Sequence, residues 1–377
     1  MTRIFIVTGE ASGDLHGANL AGAIRALRPD VELIGVGGSR MQAAGVALLP
    51  GIQRVDAMGV TLAWAHLRAG MHNLFTLAQY LRRTSLDAVV FIDHPGINLR
   101  LARVAKWIGH RVVYYIAPQV WAWASVRMRL IRRRVDHAVV ILPFEEALYR
   151  QAGVPCTFVG HPLLDEVAPS YDRDELRKRF GLDSAAPVVG LLPGSRESEV
   201  RALFPMMLRA ATQLARRHPG VQFVVAQAPS IASELLASLS AEGGVRVQVV
   251  HNQASEVMAS SDVLLVASGT ATLQAAVIGT PMVLTYRTAW LTYWLARWLI
   301  RIPWIGLVNI VAGRSIVTEL IQHEATPERM SAEVSRLLAD GQAASRMRAD
   351  LRKVREALGS PGASRRAAEV VLAECRV

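Results

Sequence analysis

Cysteine and lysine are nearly absent from this chain of 377 residues. The two cysteines, Cys156 and Cys375, lie far apart and make neither a metal-ligand spacing nor a disulfide framework. Lysine occurs only at Lys106, Lys178 and Lys353, so 39 of the 42 cations are arginine. No uninterrupted apolar run reaches the roughly 18 residues that a membrane-spanning helix needs. The nearest approach, 289–308, is broken by Arg297, Arg301 and Pro303. The apolar start, IFIV at 4–7, is too short for the core of a signal peptide, which predicts a cytosolic chain. Low-complexity tracts are missing, and an apolar content of 51% excludes general disorder. The histidines make no H-E-x-x-H, and neither a G-x-G-x-x-G nor a G-x-x-x-x-G-K-[ST] pattern occurs. The one D-x-D, Asp172-Arg173-Asp174, stands before a predicted helix and suits a cap better than a metal–diphosphate ligand.

What is abundant is positive charge. The formal net charge of +11 favours anionic partners, whether nucleic acid, phosphorylated metabolites or an anionic membrane; a compositional bias toward arginine explains it equally well. The length predicts two domains. Short apolar runs at 4–8, 33–36, 88–92, 112–116, 138–142 and 157–159 alternate with helical periodicity, as in strands buried on both faces of a parallel sheet. A polar stretch at 168–179 is a plausible linker. The alternation then restarts at 188–192, 223–226, 245–250, 263–266 and 282–285, and a helical tail follows from about 327. The expectation is an α/β chain of two Rossmann-like domains facing a cleft, divided as 1–170, 171–350 and a tail 351–377 that packs back.

Carboxylates and small residues at strand ends are the candidate chemistry. The first turn, GEASGD at 9–14, puts Glu10 at the carboxyl end of a strand, where α/β folds bind ligands. A plain turn capped by Ser12 or Asp14 is the alternative. Asp93 ends another buried strand and is placed either as a general base or as a turn aspartate. His94 beside it suits a loop residue, and Asn98 suits a helix start. In LPGSRESEV at 192–200, Ser195 looks like an N-cap, Glu197 and Glu199 fall in the dipole-favoured first turn, and Arg196 is placed to neutralise a phosphate. Ser268, Gly269 and Thr270 open a helix after a buried strand, an arrangement that leaves N–H groups for an anion such as a diphosphate.

Tryptophan clusters in one place. Trp290, Trp294 and Trp298 recur every four residues among Arg287, Arg297 and Arg301, which points to an interfacial or lipid-contacting face. The segment 60–81 is equally a second such face or a core helix.

Taken in order, GEASGD (9–14), GVGG-x-x-M (35–41), ID-x-P-x-x-N (92–98), PQVWAW (118–123), PFE (143–145), VGHPL (159–163), LLPGSR-x-x-E (191–199), ASGTATL (267–273) and ELIQ (319–322) resemble the lipid-A-disaccharide synthase family over essentially the whole chain. The resemblance implies a GT-B glycosyltransferase that joins UDP-2,3-diacylglucosamine to 2,3-diacylglucosamine 1-phosphate with inversion. The products are the β-1,6 disaccharide 1-phosphate and UDP, and neither cofactor nor metal is implied. It further implies work at the inner face of the inner membrane, on an anionic surface, and leaves a homodimer open. Catalytic roles carry onto Asp93, Glu10 and Ser12, and donor-binding roles onto Arg196, Glu199 and Asn309, with Ser268, Gly269 and Thr270 at the diphosphate. Three positions depart from the family pattern: Ile97 for an aromatic, Gln274 for a glutamate, and Val308 for the proline of an LPN motif. An amide at Gln274 still hydrogen-bonds a ribose, without charge. A UDP-sugar epimerase of the same fold is the alternative enzyme. A nucleic-acid binder is the non-enzymatic one, and no motif supports it.

Overall fold

The computed structural model describes residues 2–9, 11–50, 63–119, 125–288 and 303–375. Glu10, Trp290, Trp294 and Trp298 lie outside them. The chain divides into two compact units, Met1–Leu164 with Leu358–Val377, and Asp165–Ala357.

The first unit runs β1 (Arg3–Thr8), α1 (Ala11–Leu27), β2 (Glu32–Val36), α2 (Ser39–Ala43), β3 (Ala47–Leu48), α3 (Ala63–Arg83), β4 (Ala88–Ile92), α4 (Pro95–Ile108), β5 (Arg111–Tyr115), α5 (Ser125–Arg134), β6 (His137–Val140), α6 (Glu145–Gln151) and β7 (Cys156–Phe158). A short α7 (Leu163–Glu166) crosses the unit boundary. All pairings are parallel, in the order β3-β2-β1-β4-β5-β6-β7. The apolar runs are strands because both faces are covered. Phe5, Val7, Val89 and Phe91 face the layer that contains Leu77 and Leu81 of α3, Ala102 of α4 and Ile131 of α5. Ile4, Ile6, Val90 and Ile92 face Leu20 and Ile24 of α1 on the other side.

The second unit runs α8 (Arg173–Arg179), β8 (Val188–Leu192), α9 (Glu197–Arg217), β9 (Gln222–Gln227), α10 (Ser233–Ala241), β10 (Gln248–His251), α11 (Ala254–Ser260), β11 (Val263–Ala267), α12 (Thr270–Ile278), β12 (Met282–Tyr286), α13 (Leu307–Ala312), β13 (Glu319–Ile321), α14 (Pro327–Ala339) and α15 (Gly341–Ala357). Its sheet, also parallel, has the order β10-β9-β8-β11-β12-β13. Both sheets start in the middle, grow to one edge, return across the first strand and grow to the other edge. This is the doubly wound pattern.

Two boundaries differ from the sequence expectation. The division expected at 170/171 falls between Leu164 and Asp165, because the polar stretch after it is docked and not free. Arg177 is 4% exposed; it ion-pairs with Asp262 and donates to the Ser260 and Ser184 carbonyls, tying α8 to the second sheet. The tail expected at 351–377 is split as well. Its first residues complete α15, while α16 (Ala363–Glu374) belongs to the first unit. Ala367, Ala368 and Val371 of α16 are fully buried against α1, where small side chains permit close approach. Arg111 and His137 hold Glu374 at 2.6 and 3.0 Å.

Candidate active site

Ligands of doubly wound sheets bind beyond the carboxyl ends of the strands where the winding reverses. In the first sheet those strands are β1 and β4, and in the second β8 and β11. Four of the sequence-predicted segments follow these strands directly. Glu10 and Ser12 come after β1, Asp93 after β4, Arg196 and Glu199 after β8, and Ser268, Gly269 and Thr270 after β11.

In the first unit the loops after β1 and β4 meet. A Cβ on Gly9 would come within 2.9 Å of the His94 ring, so glycine there allows the two loops to touch. His16 of α1 feels the Asp93 charge; burial lowers its pKa and Asp93 opposes that shift. Asp93 and His94 both adopt left-handed backbone, with φ of 50° and 45°. Non-glycine residues pay roughly 1–2 kcal/mol each for that region. The turn is held by its neighbours: the Asp93 carbonyl accepts 2.7 Å hydrogen bonds from Asn98 Nδ2 and from the Tyr114 hydroxyl. Asn98 is therefore not the helix start; α4 begins at Pro95, and Asn98 reaches back from its interior.

Asp14 caps the next helix in the chain. Its carboxylate accepts from the N–H groups of Gly38 (2.6 Å), Met41 (3.1 Å) and Arg40 (3.2 Å), so it closes the start of α2. Met41, fully buried, fills the space that side chains at Gly17 and Gly37 would take. Asp14, at the end of the first motif, and GVGG-x-x-M thus pack together behind the site. Ser12 stays exposed.

In the second unit the N-cap of α9 is Arg196, not Ser195. Glu199 reaches back toward the N–H groups of Ser195 and Arg196 at 3.3 and 3.4 Å, and takes Arg196 Nη1 at 3.2 Å. Gly194, at φ 118°, makes room for that carboxylate. The Arg196 side chain is 78% exposed even while paired with Glu199. Gly269 is the N-cap of α12, with no side chain covering the first turn; Thr272 Oγ1 turns back to the Gly269 carbonyl at 2.9 Å. Gln274 is half-buried and donates to Ser255 Oγ at 2.7 Å.

Asn309 is the least ligand-like of the expected donor residues. It is fully buried, and both ends of its amide are committed: Nδ2 to Val317 O and Glu319 Oε1, Oδ1 to the N–H groups of Ile316 and Val317. Glu319 also accepts from Ile305 and Gly306, while Gln322 exchanges two hydrogen bonds with the Thr288 peptide. The two polar residues of ELIQ thereby grip the chain on either side of 289–302, a role its sequence alone did not suggest.

The family model for lipid-A-disaccharide synthetase matches residues 4–373. The chain belongs to the lipid-A-disaccharide synthase family. The lipid-A-disaccharide synthase of Geobacter sulfurreducens is 44% identical over 370 residues, covering 98% of this chain and 96% of that one. Likeness to solved structures is at the level of fold. A UDP-GlcNAc 2-epimerase from Neisseria meningitidis, solved bound to UDP-GlcNAc, superposes with a TM-score of 0.64 at 12% identity, covering 99% and 100% of the two chains. A glycosyltransferase from Rickettsia africae gives 0.61 at 10% identity, covering 99% and 98%. Two-domain α/β architecture of the GT-B type follows. The enzyme is a hexosyltransferase of lipid A biosynthesis. Among the described residues no cluster of His, Cys, Asp and Glu is arranged for a metal.

Proposed function

We propose that the chain transfers the sugar of UDP-2,3-diacylglucosamine to the 6-hydroxyl of 2,3-diacylglucosamine 1-phosphate in one inverting displacement. The observation carrying this reading is the coincidence of the family's polar positions with the four strand ends flanking the two winding reversals. Asp93 accepts the hydroxyl proton as the oxygen bonds to the anomeric carbon. The bond to the diphosphate breaks, and UDP leaves with its charge met by Arg196 and the N–H groups at Ser268, Gly269 and Thr270. Glu199 sets the Arg196 turn, Gln274 takes the ribose, and Asn309 shapes the donor side from behind. Glu10 and Ser12, which follow β1 in the sequence, act with Asp93 on the acceptor. As proposed, the step draws on no cofactor.

The proposed place of work is the anionic inner face of the inner membrane. Supporting this, α3, α4 and α5 pack as one layer and carry eleven Lys or Arg but no Asp or Glu. Trp107 (78% exposed) and Phe75 (63% exposed) stand on that layer. Trp290, Trp294 and Trp298 remain proposed lipid contacts.

The test is UDP release by purified protein given both lipids. Asp93→Asn is expected to abolish turnover while UDP still binds; near-wild-type turnover would remove the base assignment. An epimerase would instead consume the UDP-sugar without acceptor, and only a likeness of fold stands behind that reading.

A further inference from the structure

We infer that Asn98 and Tyr114 are positioning residues for the Asp93 carboxylate, acting through the main chain of Asp93. The inference deepens the proposed function and rests on Asp93 being the base.

The backbone of Asp93 is pinned on both sides of its Cα. Its N–H donates to the Tyr115 carbonyl at 3.2 Å. Its carbonyl accepts from the Tyr114 hydroxyl and from Asn98 Nδ2, each at 2.7 Å. The same Asn98 nitrogen donates to the Ile92 carbonyl at 3.1 Å, so one amide spans the last peptide of β4 and the next. With both flanking peptide groups held, the Cα–Cβ direction of Asp93 is fixed, and only the side-chain torsions remain.

Holding is needed because the conformation is not one these residues prefer. Asp93 and His94 are consecutive left-handed residues without a glycine between them, and His94 precedes Pro95, which disfavours the right-handed helical alternative. Released, the turn would relax toward extended backbone and carry the carboxylate with it. The donors are 2% and 0% exposed, so water does not stand in for a missing one. β5 thus contributes more than packing: its Tyr114 reaches across the sheet to the turn after β4. A misplacement of about 1 Å at a reacting group costs on the order of a hundredfold in rate.

Tyr114→Phe removes one hydroxyl and nothing else. In the full-length enzyme, kcat for UDP release is expected to fall about ten- to a hundredfold. KM for both lipids and the Kd for UDP should stay within about twofold, because neither residue is proposed to touch a substrate. Tyr149→Phe is the control. Tyr149 is also fully buried, and its hydroxyl also donates to a carbonyl at 2.7 Å, that of Pro118, without contact to Asp93. It should lose comparable stability to urea and keep its kcat. A wild-type kcat in Tyr114→Phe, or an equal loss in Tyr149→Phe, overturns the inference. If Asp93→Asn is inactive and Tyr114→Phe is normal, only the positioning role fails; if Asp93→Asn turns over, the base assignment fails first.

Discussion

His161, in the VGHPL motif, is 6% exposed, and its Nδ1 accepts the Leu163 N–H at 3.1 Å. Burial, and then the neighbouring His16, push its pKa from 6.5 down to about 4. The folded chain therefore keeps it neutral in a range where the unfolded chain binds a proton. Stability should fall as pH drops below about 6.5, and this loss should level off near 4. The shift is worth roughly 3 kcal/mol. In urea titrations between pH 7 and 4, His161→Asn, which keeps an acceptor and cannot protonate, should lose about that much less stability than wild type. Parallel curves would remove His161 as the source. At this scale the sequence shows residue type more plainly than hydrogen-bond partner. Local spacing suggests local bonds, so Asn98 and Ser195 read as caps of their own helices, and Ser12 or Asp14 as the cap in the alternative reading of the first turn. Asp14 instead caps a helix 24 residues on, and Asn98 serves the strand end before it. The signal missed in β5 was the tyrosine pair itself, because a phenol inside a doubly covered strand has to find an acceptor.

Elements were more legible than their couplings. Strands covered on both faces read as apolar runs, and the strand-end positions of Asp93, Arg196 and the Ser268–Gly269–Thr270 turn followed from that pattern. What joins β13 to α13 did not, because ELIQ reads as a strand with two polar residues and no stated partner. The structure makes Asn309 a hub between them. Removing it would take away the side-chain acceptor of the Ile316 and Val317 N–H groups inside the unit, while Glu319 would keep the Ile305 and Gly306 N–H groups. Asn309→Ala should therefore cost about 3 kcal/mol, from buried groups left unpaired. Urea denaturation with and without UDP checks it. A direct donor ligand would show the opposite pattern, with weakened UDP binding and unchanged stability. The Val308 departure from the family's LPN pattern fits a packing change: Val308 is fully buried beside this hub.

The whole molecule distributes its charge unevenly, and that was legible only as a total. The +11 of the chain could not be assigned to a face until the fold brought α3, α4 and α5 into one layer. Arg82 lies 5.7 Å from the Trp107 ring there, and Arg100, Arg103, Arg129, Arg132 and Arg133 are exposed. Among the described residues no helix is long and apolar enough to cross a membrane. Basic residues beside an anionic lipid surface contribute about 1 kcal/mol each, within roughly 10 Å at moderate salt. Trp107→Ser combined with Arg132→Glu and Arg133→Glu should therefore weaken sedimentation with phosphatidylglycerol vesicles by at least about tenfold. Two reversals lower the net charge from +11 to +7, since each removes a positive and adds a negative charge. Arg209→Glu with Arg216→Glu, on exposed positions of α9 in the other unit, makes the same change in total. That control should bind vesicles like wild type if the layer is the docking face. Equal loss in both variants would mean that net charge alone drives adsorption. Retained binding in the first variant would move the membrane contact to Trp290, Trp294 and Trp298.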